Sequence, residues 1–339
     1  MLATPVNRAA LLIGLGLTWR ASTPLTWTEG PSLPVARDHH VVFLTHGTAG
    51  DFLHTIGGNT YRETLADGWR IEIREDGGFG AWQPIDSLPA PRAGLSVAVT
   101  DRSVVVTGGK LADRSNTGET LVAALRADGS LASWSAGPPL PGPRFHHSAV
   151  FHARFVYVTG GLEASVSVAT VFRARVRPDG SLDAWTREGD MPRPRSHHAS
   201  FAHGGALYVV AGLDGHPAAA NTPLNDVLRA RILSDGAIGA WVTVSTLDSA
   251  YATHAAVVHD GYVYVVGGVE NNTRFVSTVQ RAPLGQDGTI GPWEGVTPGL
   301  PVARGHVHQV PVWRGRLYSL GGSANRQVMS ALHVGTLTP

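Results

Sequence analysis

Five arginines occupy the same local phrase, Pro-x-x-Arg, at Arg37, Arg92, Arg144, Arg195 and Arg304. Two residues beyond them stand His39, Gly94, His146, His197 and His306, and Thr253 fills the corresponding place of a sixth phrase in which Tyr251 replaces the arginine. The next position along reads His40, Leu95, His147, His198, His254 and Val307. Neutral imidazole is a borderline donor suited to iron, copper or zinc, so four first-position histidines brought to one point would make a metal centre. Guanidinium groups recognise carboxylate and phosphate, so five arginines in equivalent places would make a positive ring suited to an anionic ligand. Each column also has a structural reading. The arginines can brace backbone and carboxylates, and histidines descended from one duplicated unit can line a polar channel without meeting. Adjacent residues of a strand face opposite ways, so the two histidine columns do different work, and the second is read as bonding between repeats.

The elements that would position these residues recur along the chain. Tryptophans at Trp27, Trp82, Trp134, Trp185, Trp241 and Trp293 are spaced by 55, 52, 51, 56 and 52 residues. After each comes the arginine phrase, then a strand A such as Ser148–His152, a short turn, and a strand B of alternating valine and tyrosine that ends in a glycine pair. Valine and tyrosine suit a half-buried strand. A variable loop leads to strand C, which in five units ends in Asp-Gly (Asp76–Gly77 to Asp287–Gly288), a hairpin signal that supplies positive φ angles. Strand D then carries the tryptophan. Each unit is a four-stranded antiparallel meander, and the set reads as an all-β, six-bladed propeller. The sixth unit runs to a strand C near residues 328–334 without a strand D, while Trp27 lies on a D-type strand with no C before it. The N-terminal strand is therefore expected to complete the last blade and remove a free edge.

Strand direction places the D-to-A and B-to-C connections on one face. The B-to-C loops vary in length and polarity, and variable loops on a rigid frame carry specificity, so that face is the expected site. Residues 25–339 form one domain, and 1–24 are an N-terminal arm or the remnant of a signal segment around Ala9–Leu17, too short an apolar run to span a bilayer. Secreted, periplasmic and cytoplasmic locations all stay open. The chain has 27 basic and 26 acidic residues, a balance unlike that of a nucleic-acid binder. It has no cysteine, which excludes disulfides, thiolate metal sites and cysteine nucleophiles. The glycine-rich phosphate cradles and the nucleophile-elbow serine are missing too, so no nucleotide cofactor is expected.

PxPRxxH at strand A, the glycine pair closing strand B and tryptophan in strand D resemble the kelch repeat, and Asp179–Trp185 (DGSLDAW) resembles its bacterial variety within the galactose oxidase/kelch-like superfamily. The resemblance covers about residues 25 to 337. It departs at Gly94–Leu95, at Tyr251 and at Ala211–Gly212. Galactose oxidase itself needs a Tyr–Cys crosslink that this chain cannot make. The resemblance implies a monomeric propeller, and leaves three readings: a small-molecule binder or metal-dependent enzyme using His39, His146, His197 and His306; a metal-free, mutarotase-like sugar isomerase using the arginine ring; and a noncatalytic scaffold that docks protein or glycan.

Overall fold

A computed structural model describes residues 25–215, 221–325 and 327–337. The N-terminal 24 residues, with the expected arm or signal segment, lie outside it. Among the described residues every element is a strand. Six four-stranded antiparallel sheets account for the main architecture, five of them in simple chain order. The sixth takes its outer strand from the other end of the chain: Thr26–Gly30 pairs with Leu332–Thr336 in the register Thr26↔Thr336 to Gly30↔Leu332. Strand C of that sheet begins at Leu332, later than the sequence suggested, because Ser323–Ala324 and Gln327–Val328 form a small hairpin of their own.

The sheets stack face to face, and each junction has its own apolar cluster. Val41, Phe43 and Ile56 of the first sheet meet Val97, Val104 and Val106 of the second. The last junction sets Tyr318, Leu320, Leu332 and Val334 against Val42, Leu53 and Ile71 of the first sheet, so the array closes on itself. Strand B is consequently buried on both faces: Val104, Val105 and Val106 are all 0 % exposed. The half-buried alternation expected from the sequence gives way here because each blade is sandwiched between two others, which favours a continuous apolar run.

Polar bolts run alongside this packing. Five of the six repeat tryptophans donate the indole N–H to the connection after the outer strand of the preceding sheet: Trp82 to Pro31 O (2.9 Å), Trp134 to Asp86 O (3.0 Å), Trp185 to Pro138 O (2.8 Å), Trp241 to Gly189 O (3.2 Å) and Trp27 to Pro298 O (3.2 Å). Trp293 uses Ser245 Oγ at 3.0 Å. The Asp-Gly hairpins are corrected in one respect. Only the glycine adopts positive φ, from 85° to 87°, while the aspartate caps the turn by accepting from a backbone N–H two residues on, as Asp128 does from Ser130 at 2.8 Å.

Candidate functional site

The first-position column is built from an unusual backbone. His39, Gly94, His146, His197, Thr253 and His306 all have left-handed φ, between 53° and 63°. Histidine is among the few non-glycine residues enriched there, which gives the column a conformational rationale as well as a chemical one. A head-to-tail chain of backbone bonds holds the conformation: Gly94 N–H to His39 O (2.8 Å), His146 to Gly94 (2.8 Å), His197 to His146 (2.9 Å) and Thr253 to His197 (2.8 Å). At the sixth step Val307, one residue late, donates to Thr253 O at 3.4 Å. The strand it enters is reduced to Val312–Trp313, leaving Gly305–Pro311 irregular.

The closing glycines lock the column from outside. The second glycine of a pair donates to the arginine carbonyl of the next sheet, as Gly161 does to Arg195 O at 2.8 Å, and Gly322 does to Arg37 O at 3.0 Å across the last junction. On the other side the residue before the column bridges to the start of the B-to-C loop: Asp38 to Asn59, Phe145 to Leu162, Ser196 to Leu213 and Gly305 to Ser323. The loops thus rise around the column's mouth. Most are small hairpins, and in the fourth sheet strands B and C extend into the loop itself, to Asp214 and from Thr222. Its tip, residues 216–220, lies outside the described residues.

The four first-position histidines come together. His39 stacks on His306 and His146 on His197, each pair with ring centroids 3.8 Å apart, and His39 and His146 link the pairs at 5.0 Å. Gly94 leaves the room for this: a Cβ there would lie 3.3 Å from His146 Cε1. A fifth ring joins because the sixth sheet slips by one residue. His308 stands 5.5 Å from His146 and 6.3 Å from both His39 and His306.

Their nitrogens are unevenly satisfied. His306 Nδ1 meets Ser323 Oγ and His197 Nδ1 meets Ser196 Oγ, both at 2.9 Å. His146 Nδ1 and His308 Nε2 are buried without a hydrogen-bond partner among the described residues. Burial first, and neighbouring imidazoles second, push His146, His306 and His308 well below the usual histidine range and His197 down to about 3. These rings are neutral at physiological pH, the form that ligates metals.

Asp38, which sequence reasoning did not single out, lies at the same place, its carboxylate 2.7 Å from His39 Nδ1. Burial would raise its pKa, but the His39 hydrogen bond and charge, with help from Ser323 and His40, outweigh that and hold the carboxyl below its ordinary value. The one available signal was positional: of the residues preceding the column, Asp38 alone is charged.

The arginine column has a different use from the expected ligand ring. Arg37, Arg92, Arg144, Arg195 and Arg304 are each 0–1 % exposed, with no guanidinium surface to offer a ligand. Each ties its segment to the B-to-C region of its own sheet, most of them reaching the end of strand B and the start of strand C. Arg37 chelates Asp67 (3.0 and 2.9 Å) and Arg195 chelates Asp226 (3.2 and 2.9 Å). Arg92 pairs with Glu119 at 2.7 Å, Arg144 bonds Gly160 O and Thr170 Oγ1, and Arg304 bonds Gly321 O and His333 Nδ1. Burial pushes Arg144 and Arg304, which chelate no carboxylate, down to about 10. Tyr251 takes the vacant arginine place, its hydroxyl directed to Thr278 and Gln280.

Second-position histidines bond between sheets. His40 Nε2 meets Leu320 O (3.1 Å), His147 meets Thr107 Oγ1 (2.8 Å) and His198 meets Thr159 Oγ1 (2.9 Å). His254 is buried facing Val210 without a well-formed hydrogen bond.

Comparison with known proteins agrees with this frame. The family profile described as the KLHDC2/KLHL20/DRC7 Kelch-repeats domain matches residues 39–268. Kelch-like protein 36 of Bos taurus is 25 % identical over 256 residues, 75 % of this chain and 39 % of that protein. Beta-scruin of Limulus polyphemus is 30 % identical over 200 residues, 56 % of this chain and 21 % of the relative. Acyl-CoA-binding domain-containing protein 5 of Arabidopsis thaliana is 33 % identical over 142 residues, 40 % and 20 % respectively. The chain thus spans two-fifths or less of the length of these relatives. With the profile covering more than half of its residues, the chain belongs to the Kelch-repeat family.

Proposed function

We propose that this kelch-repeat propeller binds a small, anionic molecule at its axial mouth, through a transition-metal ion (iron, copper or zinc) held among the axial histidines. The observation that supports this most is the convergence of His39, His146, His197 and His306 into two stacked pairs 5.0 Å apart, where His146 Nδ1 is buried with no hydrogen-bond partner among the described residues. Leaving such a group unpaired costs about 1–3 kcal/mol, a cost that a bound ion or its ligand would remove. Lys110, whose ammonium lies 5.4 Å over the Phe145 ring beside His146, supplies positive charge near the column where the buried arginines do not. The arginine-dependent isomerase reading loses its residues to the frame.

Elemental analysis of the purified chain is the direct test. About one equivalent of a first-row metal is expected, retained through dialysis and lost on His39→Ala. Protein that carries no such metal and takes up none from added Fe(II), Cu(II) or Zn(II) would refute the reading.

A second reading, a noncatalytic scaffold that docks a protein or glycan through the same face, is favoured by family membership and by Tyr61, 70 % exposed on the first B-to-C loop. The same assay separates the two, since a scaffold of that kind has no need of the ion.

A further inference from the structure

Resting on the metal reading above, we infer that the ion is held on one side of the cluster by Asp38, His39 and His306, and that His146, His197 and His308 form an opposing wall facing its open positions. The four column histidines then do not share the ion equally. Among the described residues, Asp38, His39 and His306 form the one group of three whose donor atoms all lie within 4.8 Å of one another.

The geometry inside that group points the same way. Asp38 Oδ1 and His39 Nδ1 are 2.7 Å apart, so the two donors already stand about as close as neighbouring ligands of one ion, in a contact that the ion would take over. Ser323 fixes the third member: its Oγ is 2.9 Å from His306 Nδ1, and the same side chain helps to lower the Asp38 pKa. When the serine accepts from Nδ1–H, His306 Nε2 is left as the free lone pair, the usual outer-shell device for orienting a metal-bound imidazole.

Charge gives an independent reason. Asp38 is 8 % exposed, and no lysine or arginine pairs with it among the described residues. Only imidazoles, His39 foremost, meet its charge, and a divalent ion would meet it more fully than a ring that must be protonated to do so.

Two histidines and one carboxylate on one side of an ion suit octahedral metals with vacant positions, such as Fe(II) or Co(II), better than a square-planar four-nitrogen copper site. The facing rings carry two buried, unpartnered nitrogens, His146 Nδ1 and His308 Nε2. They would meet a small oxygen- or nitrogen-donor ligand, such as a carboxylate, entering between wall and ion.

The test uses Co(II) on the full chain, with azide as the probe anion. Asp38→Asn and His306→Ala should each weaken Co(II) binding by roughly 100-fold or more, beyond the 10–100-fold expected of outer-shell partners. Asp38→Glu, which keeps the carboxylate, should restore part of the loss and so separate ligation from folding. His146→Ala and His308→Ala should weaken Co(II) far less than Asp38→Asn does and should alter the visible-band shift produced by azide. If His146→Ala and His197→Ala lose Co(II) as severely as Asp38→Asn, the ion is central and this assignment is overturned while the metal reading survives. If the unaltered chain fails to bind Co(II), Fe(II), Cu(II) or Zn(II), the metal reading falls and takes the assignment with it.

Discussion

Thr253 is the residue of the axial column least suited to its backbone. It is β-branched, holds φ at 55°, and buries a hydroxyl that finds no partner among the described residues. A left-handed conformation costs a non-glycine residue about 1–2 kcal/mol, partly offset in glycine by its greater unfolded-state entropy. Thr253→Gly should therefore raise stability by about 0.5–1 kcal/mol, read as a higher urea midpoint at unchanged slope. A lower midpoint would mean that the hydroxyl contributes through a bond that the strain argument ignores. Gly94 shows what a sequence can reveal at this scale. A glycine in a column of histidines was a sign of positive φ throughout that column, and hence of a turn that brings the rings together. What no spacing rule reveals is Asp38, whose place beside His39 also involves Ser323 from a distant part of the chain.

At the scale of the element, the glycine pair both closes strand B and supports the column of the same blade. A Cβ on Gly161 would fall 2.7 Å from His147 Cβ and 2.9 Å from Phe145 O, at a φ of 100°. Gly161→Ala should cost roughly 2–4 kcal/mol, since it combines a forbidden backbone with a clash against main chain. It should also disturb His146, which lies between the two contacted residues. Chemical denaturation checks the first effect; a loss below about 1 kcal/mol would show that the segment yields. The first position of the pair is no freer, since a Cβ on Gly160 would fall 2.4 Å from Arg195 O; alanine occupies it only as Ala211, at φ 53°, where the next sheet carries Tyr251 in place of the arginine. The strands, glycine pairs and Asp-Gly turns were legible because each answers a local backbone demand. The irregular entry of the sixth sheet was not, since it arises where Val307 takes a bond that the repeat assigns to His306. That single displacement admits His308 to the cluster.

The whole molecule carries a liability of its own, a set of histidines kept neutral inside it. His54 illustrates it away from the axis: it stacks on Phe43 at 4.8 Å and bonds Thr45 Oγ1 at 2.8 Å. Burial first, then the charge of Arg70, push it from 6.5 down to about 3. Between those values the unfolded chain binds a proton that the folded protein refuses. The stabilisation is therefore complete above about pH 6.5 and falls as acid is added, by about 1.4 kcal/mol per pH unit for each such histidine. His147, also pushed down to about 3, acts in the same direction. Unfolding free energy should change little above about pH 6.5 and drop steeply from there to pH 5, before most carboxylates titrate. In His54→Gln the curve should be flatter by about one proton, though the protein is weaker at pH 7.5. An unchanged slope would place the acid sensitivity elsewhere.

The sheet that joins the two ends of the described chain has a mechanical consequence. Thr26 pairs with Thr336, so residues entering and leaving the ring sit side by side on antiparallel neighbours. Tension applied between those two points loads the hydrogen bonds in sequence, one pair after another, in the manner of a zipper. A pull across any internal blade must shear several at once. Under such a force the ring opens first at the seam between Thr26–Gly30 and Leu332–Thr336, and that seam lies in the same sheet that contributes His306 and His308 to the axial cluster.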